Sequence, residues 1–86
     1  MIEVSPRARE VLARASASAR RFDPDARIRI VRDGAGIRSG FAHAPEAGDH
    51  VIDDGEVVVF VESGLSGIVD VTESHDQLVL RPGDDG

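Results

Sequence analysis

Apolar residues recur at two spacings along the chain, and the spacing changes where the elements change. Ile2 and Val4 alternate around Glu3, the mark of a short strand. From Pro6 the pattern switches, with Ala8, Val11, Leu12, Ala15 and Ala19 recurring at intervals of three and four. That spacing puts one apolar stripe on a helix. Ser5 is a good N-cap, and Pro6 at the first helical position has no amide to leave unpaired. Arg20 and Arg21 close the helix at the end where the macrodipole favours cations. The stripe is thin and alanine-rich, which predicts a helix lying close against a sheet.

Phe22-Asp23-Pro24-Asp25 breaks the helix, and Arg27-Ile28-Arg29-Ile30-Val31-Arg32 returns to period two, arginines out and isoleucines in. A glycine-rich stretch from Asp33 to His43 reads as a loop, with a short strand over Phe41–Ala44 and a turn over Pro45–Gly48. His50-Val51-Ile52 leads into a hairpin at Asp54-Gly55. Val57–Val61 is apolar on both faces, so it is a central strand or one whose second face meets another subunit. The latter makes a homodimer one expectation. Ser63 reads as the cap of a short helical turn over Leu65–Val69. Asp70-Val71-Thr72 and Gln77–Leu80 read as a last hairpin across Ser74-His75-Asp76. The order predicts an α+β fold, one domain over residues 1–82 with a single N-terminal helix on a strongly bent sheet, and a frayed tail at 83–86.

Composition narrows the function classes. With 86 residues there is room for one core, and with three phenylalanines as its only aromatics that core rests on Val, Ile, Leu and Ala. The net charge of −6 argues against nucleic acid and anionic membranes as partners. The charge is uneven: residues 1–40 hold nine arginines against five acids, and residues 41–86 one arginine against eleven. Two solvated faces, head-to-tail association, or a basic helix face meeting an acidic partner would each produce that split. No cysteine is present, so there is no disulfide, thiolate ligand or cysteine nucleophile. No apolar run approaches a membrane span, which makes a cytoplasmic protein the expectation.

Several stretches together resemble one family. "IEVSPRAREVL" is similar to the opening of the HesB-like, or A-type carrier, proteins of iron–sulfur cluster assembly. "GAGIRSGF" is similar to their central motif of glycines and then Cys-Ser-Gly-Phe; Ser39, Gly40 and Phe41 match, and Arg38 stands where the cysteine would be. "VVVFVESGLSGIVD" fits the family at Val61, Leu65, Gly67 and Asp70, with Glu62 in place of Asp, and Pro82 fits near the end. The resemblance implies a small twisted, barrel-like, mostly antiparallel sheet with one N-terminal helix. It does not imply the cluster chemistry, because the family's two C-terminal cysteines have no counterpart. Thiolates hold such clusters, and Arg38 is a permanent cation that cannot ligate iron.

Gly36, Arg38, Ser39 and Gly40 form a binding-loop candidate, in which exposed amides and a guanidinium attract a carboxylate or phosphate; the alternative is a turn with a solvated arginine. The glycine spacing is not a nucleotide fingerprint, since no helix succeeds it. His43, His50 and His75, with Asp49, Asp53 or Asp76, are candidates for iron or another metal, and each also reads as a surface residue. Asp49, Asp53, Asp54 and Glu56 read as a solvated acidic patch, and neither Ser39 nor Ser63 belongs to a triad. Arg7, Arg14, Arg20 and Arg21 make the helix face an interaction-surface candidate. The expectation is a non-enzymatic protein without a cofactor, binding an unidentified protein partner in an accessory role.

Overall fold

The computed structural model describes residues 2–72 and 77–83. The expected turn at Ser74-His75-Asp76, with His75 itself, and residues 84–86 of the tail lie outside them. The chain runs β1 (Ile2–Val4), α1 (Pro6–Arg20), β2 (Arg27–Asp33), β3 (Gly36–Ala42), β4 (His50–Asp53), β5 (Val58–Val61), β6 (Gly67–Val71) and β7 (Leu78–Arg81). The helix begins as its cap predicts: the Ser5 hydroxyl accepts from the Ala8 amide at 3.1 Å, and Pro6 occupies the first turn. Its buried line is Ala8, Leu12 and Ser16. Val11 and Ala15 of the expected stripe are partly buried against the core beside this line, and Ser16 is a buried residue the apolar spacing does not include.

The strands form two mixed sheets. One has the order β1-β6-β7 and the other β3-β2-β5-β4. Pairing is parallel in β1–β6 and β2–β5, and antiparallel in β2–β3, β4–β5 and β6–β7. The α+β class holds, but no barrel closes. At one seam β3 packs on β7 without pairing to it. At the other, β1 and β4 are both end strands. β1 stops after Val4 because Ser5-Pro6 starts the helix there.

Both sheets feed one core. The inner face of the four-stranded sheet contributes Ile28, Ile30, Val59 and Val61; the other sheet contributes Ile2, Val69 and Val71; α1 adds Ala8 and Leu12. β5 is central, as its apolar sequence predicts. Its second face is covered from within the chain. Register places Arg29, Phe60 and Val51 in one row on the outer face. Arg29 on β2 reaches over β5 to Asp49, just before β4, through two bonds of 2.9 Å. Phe60 beneath that bridge is only 5% exposed.

Two expected elements differ. The glycine loop is a two-residue hairpin turn, Gly34-Ala35, with Asp33 opposite Gly36, and β3 begins at once. Gly34 at φ 60° supplies the left-handed residue that matches the twist of the strands. The helical turn over Leu65–Val69 is absent. Ser63-Gly64 form a turn, and β6 starts at Gly67 with every second residue buried. The β-branched run Ile68, Val69, Val71 prefers the pleated sheet, and strands on both sides complete its hydrogen bonding.

Gly67 is where β6 and the end of β7 come closest. Its φ is +116°, and a Cβ there would lie 2.2 Å from the Arg81 carbonyl oxygen. Gly83, the described residue of the tail, lies against it. Gly67→Ala is therefore expected to cost about 3 kcal/mol or more in urea unfolding. Gly55→Ala, at φ +88° in open space, is expected to cost only about 1 kcal/mol.

Asp70 joins three elements. Its carboxylate accepts from the Ser5 hydroxyl at 2.8 Å, the Val71 amide at 2.9 Å and the Arg81 guanidinium at 2.7 Å. These donors, the Ser5 hydroxyl first, hold its pKa down at about 2, against an ordinary 3.8. The stabilisation is present above the ordinary value and is lost as pH falls through the folded one. Between pH 4 and 2 the urea midpoint of the native protein should therefore fall more steeply than that of Asp70→Asn.

Candidate functional site

The residues expected to form a binding loop lie on a strand. Gly36, Arg38, Ser39 and Gly40 face Asp33, Val31, Ile30 and Arg29 across the β2–β3 ladder. In an antiparallel pair alternate residues turn their amides toward the neighbour, so successive N–H groups point apart and do not converge on one anion. The cradle drawn from the glycines is not formed. Arg38 itself is exposed on the outer face beside Val31 and makes no ion pair among the described residues. The other positions that carry the family resemblance hold the fold. Val61 and Leu65 are in the core, Gly67 makes the close crossing, and Asp70 joins helix to sheet. The Glu62 carboxylate accepts from the Arg32 amide at 2.9 Å, which extends the tie between β2 and β5.

The acidic patch is divided. Asp49 is not solvated: its side chain is 1% exposed and is clasped by Arg29, itself 15% exposed. That clasp, ahead of the bond from the Glu46 amide, holds the Asp49 pKa below its ordinary value. Asp54 caps its own hairpin, accepting from the Glu56 and Val57 amides, and those bonds lower its pKa. Arg9 of α1 reaches the same hairpin, 3.0 Å from Asp54 and 3.6 Å from Glu56. The charge asymmetry of the chain is thus partly satisfied within it, through an arginine that helical spacing alone does not single out.

Arg7, Arg14 and Arg21 are spaced by seven, on the side of α1 opposite Ala8, Leu12 and Ser16. Arg20 lies at the flank, and its Nε donates to the Pro24 carbonyl at 3.4 Å. These arginines share their side of α1 with the exposed Glu10, and the helix leads into an aromatic residue. Phe22, just past the helix, is 89% exposed, and Phe41 on β3 is 57% exposed. Asp23 and His43 join these two places through a hydrogen bond between Oδ2 and Nε2. Phe22 precedes Asp23, and Phe41 lies two residues before His43, so the contact ties together the two segments that carry the exposed rings. The Asp23 carboxylate raises the His43 pKa above 6.5, and the imidazole holds Asp23 below its ordinary value. His43 thereby stays cationic further toward neutral pH.

His50 is exposed on β4, opposite Val61 and apart from His43. Among the described residues no group of three or more His, Cys, Asp or Glu is placed to hold a metal ion. No helix is long and apolar enough to cross a membrane. The structure leaves two phenylalanines exposed, Phe22 directly after Arg20 and Arg21 in the chain and Phe41 on β3, and links their segments through Asp23 and His43. The sequence contains the signal: two of three phenylalanines lie outside any apolar period, one in a helix-breaking segment and one on a strand flanked by glycine and alanine. Compared with protein-family models, with curated proteins and with solved structures, the chain matches none.

Proposed function

We propose that the chain is a non-enzymatic protein-interaction module on a HesB-like scaffold. It is a cytoplasmic accessory related to iron–sulfur cluster assembly proteins and has no cysteine ligands of its own. One observation carries the interaction reading. In a protein with only three aromatic residues, two are spent on the surface, Phe22 next to Arg21 in the chain and Phe41 on β3. Aromatic and arginine side chains dominate binding energy at protein interfaces, because they bury much area around fixed polar groups. The two arginines before Phe22 meet no carboxylate among the described residues and Asp23 is taken by His43, which leaves Asp25 as the carboxylate nearest in the chain; the partner suited to this surface presents an apolar pocket with carboxylates beside it. The other charged contacts support this reading: Arg29, Arg81 and Arg9 are each committed to an aspartate of the fold, whereas Arg21 and Arg38 bind none among the described residues. The family relationship rests on the matched segments, and the absence of cysteine separates this chain from cluster carriage.

Two measurements test the reading. Photo-cross-linking in cells, with captured proteins identified by mass spectrometry, should yield an acidic partner. The double variant Phe22→Ser, Phe41→Ser should lose it at least tenfold, with an unchanged melting temperature because both rings are exposed. Equal capture by the variant removes the patch from consideration. Anaerobic reconstitution with ferrous iron and sulfide should leave the protein colourless after desalting, whereas visible absorbance that stays with the protein overturns the ligand-free assignment.

A further inference from the structure

The open seam between the two sheets holds a cleft of about 290 Å³. Ile2 and Val4 of β1 line one side, Ile52, Val57 and Val59 of the β4–β5 hairpin the other, and Leu12 of α1 closes the floor. Four of these six are core residues, and the partly buried Val4 and Ile52 stand at the opening. The volume falls at the bottom of the range for small-molecule sites and suits one or two aliphatic side chains better than a cofactor.

The two walls have a second property in common. β1 and β4 are the end strands of their sheets. The bond from the Ser5 amide to Val69 fixes which groups of β1 face β6. By alternation, those of Val4 face away from it. The bond from the Asp54 amide to Val57 fixes the β4–β5 pattern in the same way and turns the backbone groups of Val51 and Asp53 outward. An apolar trough thus runs between two strand edges with unused main-chain donors and acceptors. Such an edge pairs with an extended peptide, whose alternate side chains fill the pockets.

Charge selects the peptide. Glu3, Asp54 and Arg9 line the cleft itself, with Asp53 beside Asp54 in the chain; Glu56 lies just outside, in a neighbouring hollow that Arg7 and Arg14 also line. Arg9 is already shared between Asp54 and Glu56, so the rim remains anionic. An acidic segment would be repelled, and a neutral one would leave the carboxylates unused. We propose that this seam binds an extended segment of a partner protein in which aliphatic and basic residues alternate. The segment adds a strand at the β1 or β4 edge, its aliphatic side chains entering the trough and its basic ones meeting Glu3, Asp54 and Glu56. The site is separate from the aromatic patch, and its partner is opposite in charge.

The test uses the full chain and a capped hexapeptide of alternating arginine and valine, monitored by amide NMR. Saturable shifts are expected at Val4, Val51, Ile52 and Asp53, weakening as salt rises. A glutamate–valine hexapeptide should produce none. Glu3→Gln should weaken binding about threefold. Val51→Pro, which removes one outward donor on an edge strand, should weaken it about fivefold. Ile52→Arg, which places a cation in the trough, gives a second route should the proline variant unfold, and it should abolish the shifts. The Phe22→Ser, Phe41→Ser double variant should bind the peptide as the native chain does, so that failure of one site is distinguished from failure of the other. The proposal is overturned by no saturable shift at about 1 mM peptide, by equal binding of the acidic peptide, by shifts confined to Phe22 and Phe41, or by a dimer in solution that already covers β4.

Discussion

The Ser5 hydroxyl faces two ways, and the arrangement of the chain depends on it. As an acceptor it takes the Ala8 amide and starts the helix; as a donor it binds the Asp70 carboxylate on β6. A helix N-terminus is thereby anchored to a strand 65 positions further along. Asp70 is ionised to do this, and its second oxygen engages Arg81 at the end of β7. One carboxylate therefore sets where β1 ends, where α1 begins and how β7 lies against β6. The geometry leaves little freedom nearby, since Gly67 must pass the Arg81 carbonyl at a distance that excludes any side chain. Local capping preference and long-range pairing agree at this point, and such agreement between levels makes one fold win over its competitors.

The seam between the sheets lies beside this anchor. Pro6 comes two positions after Val4 and has no amide for a ladder, so β1 ends there, an end strand of its sheet as β4 is of the other. The fold settles the resulting edge with charge. Glu3 projects at the short strand, the hairpin beyond β4 is acidic, and Arg9 straps helix to hairpin across the mouth. Charged residues are a usual means of keeping edges from indiscriminate pairing, and they also determine which segments can pair.

Much of this is legible in the sequence, and the departures have physical causes. The cap at Ser5-Pro6, the helix, the alternating β2, the hairpin at Asp54-Gly55 and the central position of β5 all come from local signals that tertiary contacts reinforce. The glycine run misleads because three glycines in eight positions resemble a loop, whereas only Gly34 makes the turn; Asp33-Gly34 carries the same hairpin signal as Asp54-Gly55. The helical turn at Leu65–Val69 does not form because strand pairing on both sides outweighs a capping serine. Asp49 departs from its expected solvation for a different reason. Its burial depends on Arg29, twenty residues away, and no local pattern reports a pair that spans an intervening strand. The site residues are harder still. Arg7, Arg14 and Arg21 are placed by helical periodicity, but the link between the segments of Phe22 and Phe41 exists only because Asp23 and His43 meet in space.

The division of charge between the halves of the chain is best understood through the group that each arginine meets. Arg29 and Arg9 come from the basic half and each binds an aspartate of the acidic half, whereas Arg81 binds Asp70 within the acidic half. The asymmetry is thus first a device for joining the N-terminal helix and β2 to the later strands and hairpins. Pairing removes the most central charges and leaves the remainder at opposite places: cations past the end of α1 around Phe22, and carboxylates along the β1–β4 seam. On the two proposals, a surface so polarised would suit partners of different composition, and at neither place would the scaffold need a metal or a reactive side chain. Iron–sulfur carriage requires thiolates, but recognition requires only apolar area, unsatisfied backbone and charges of the right sign, and a chain without cysteine can supply all three.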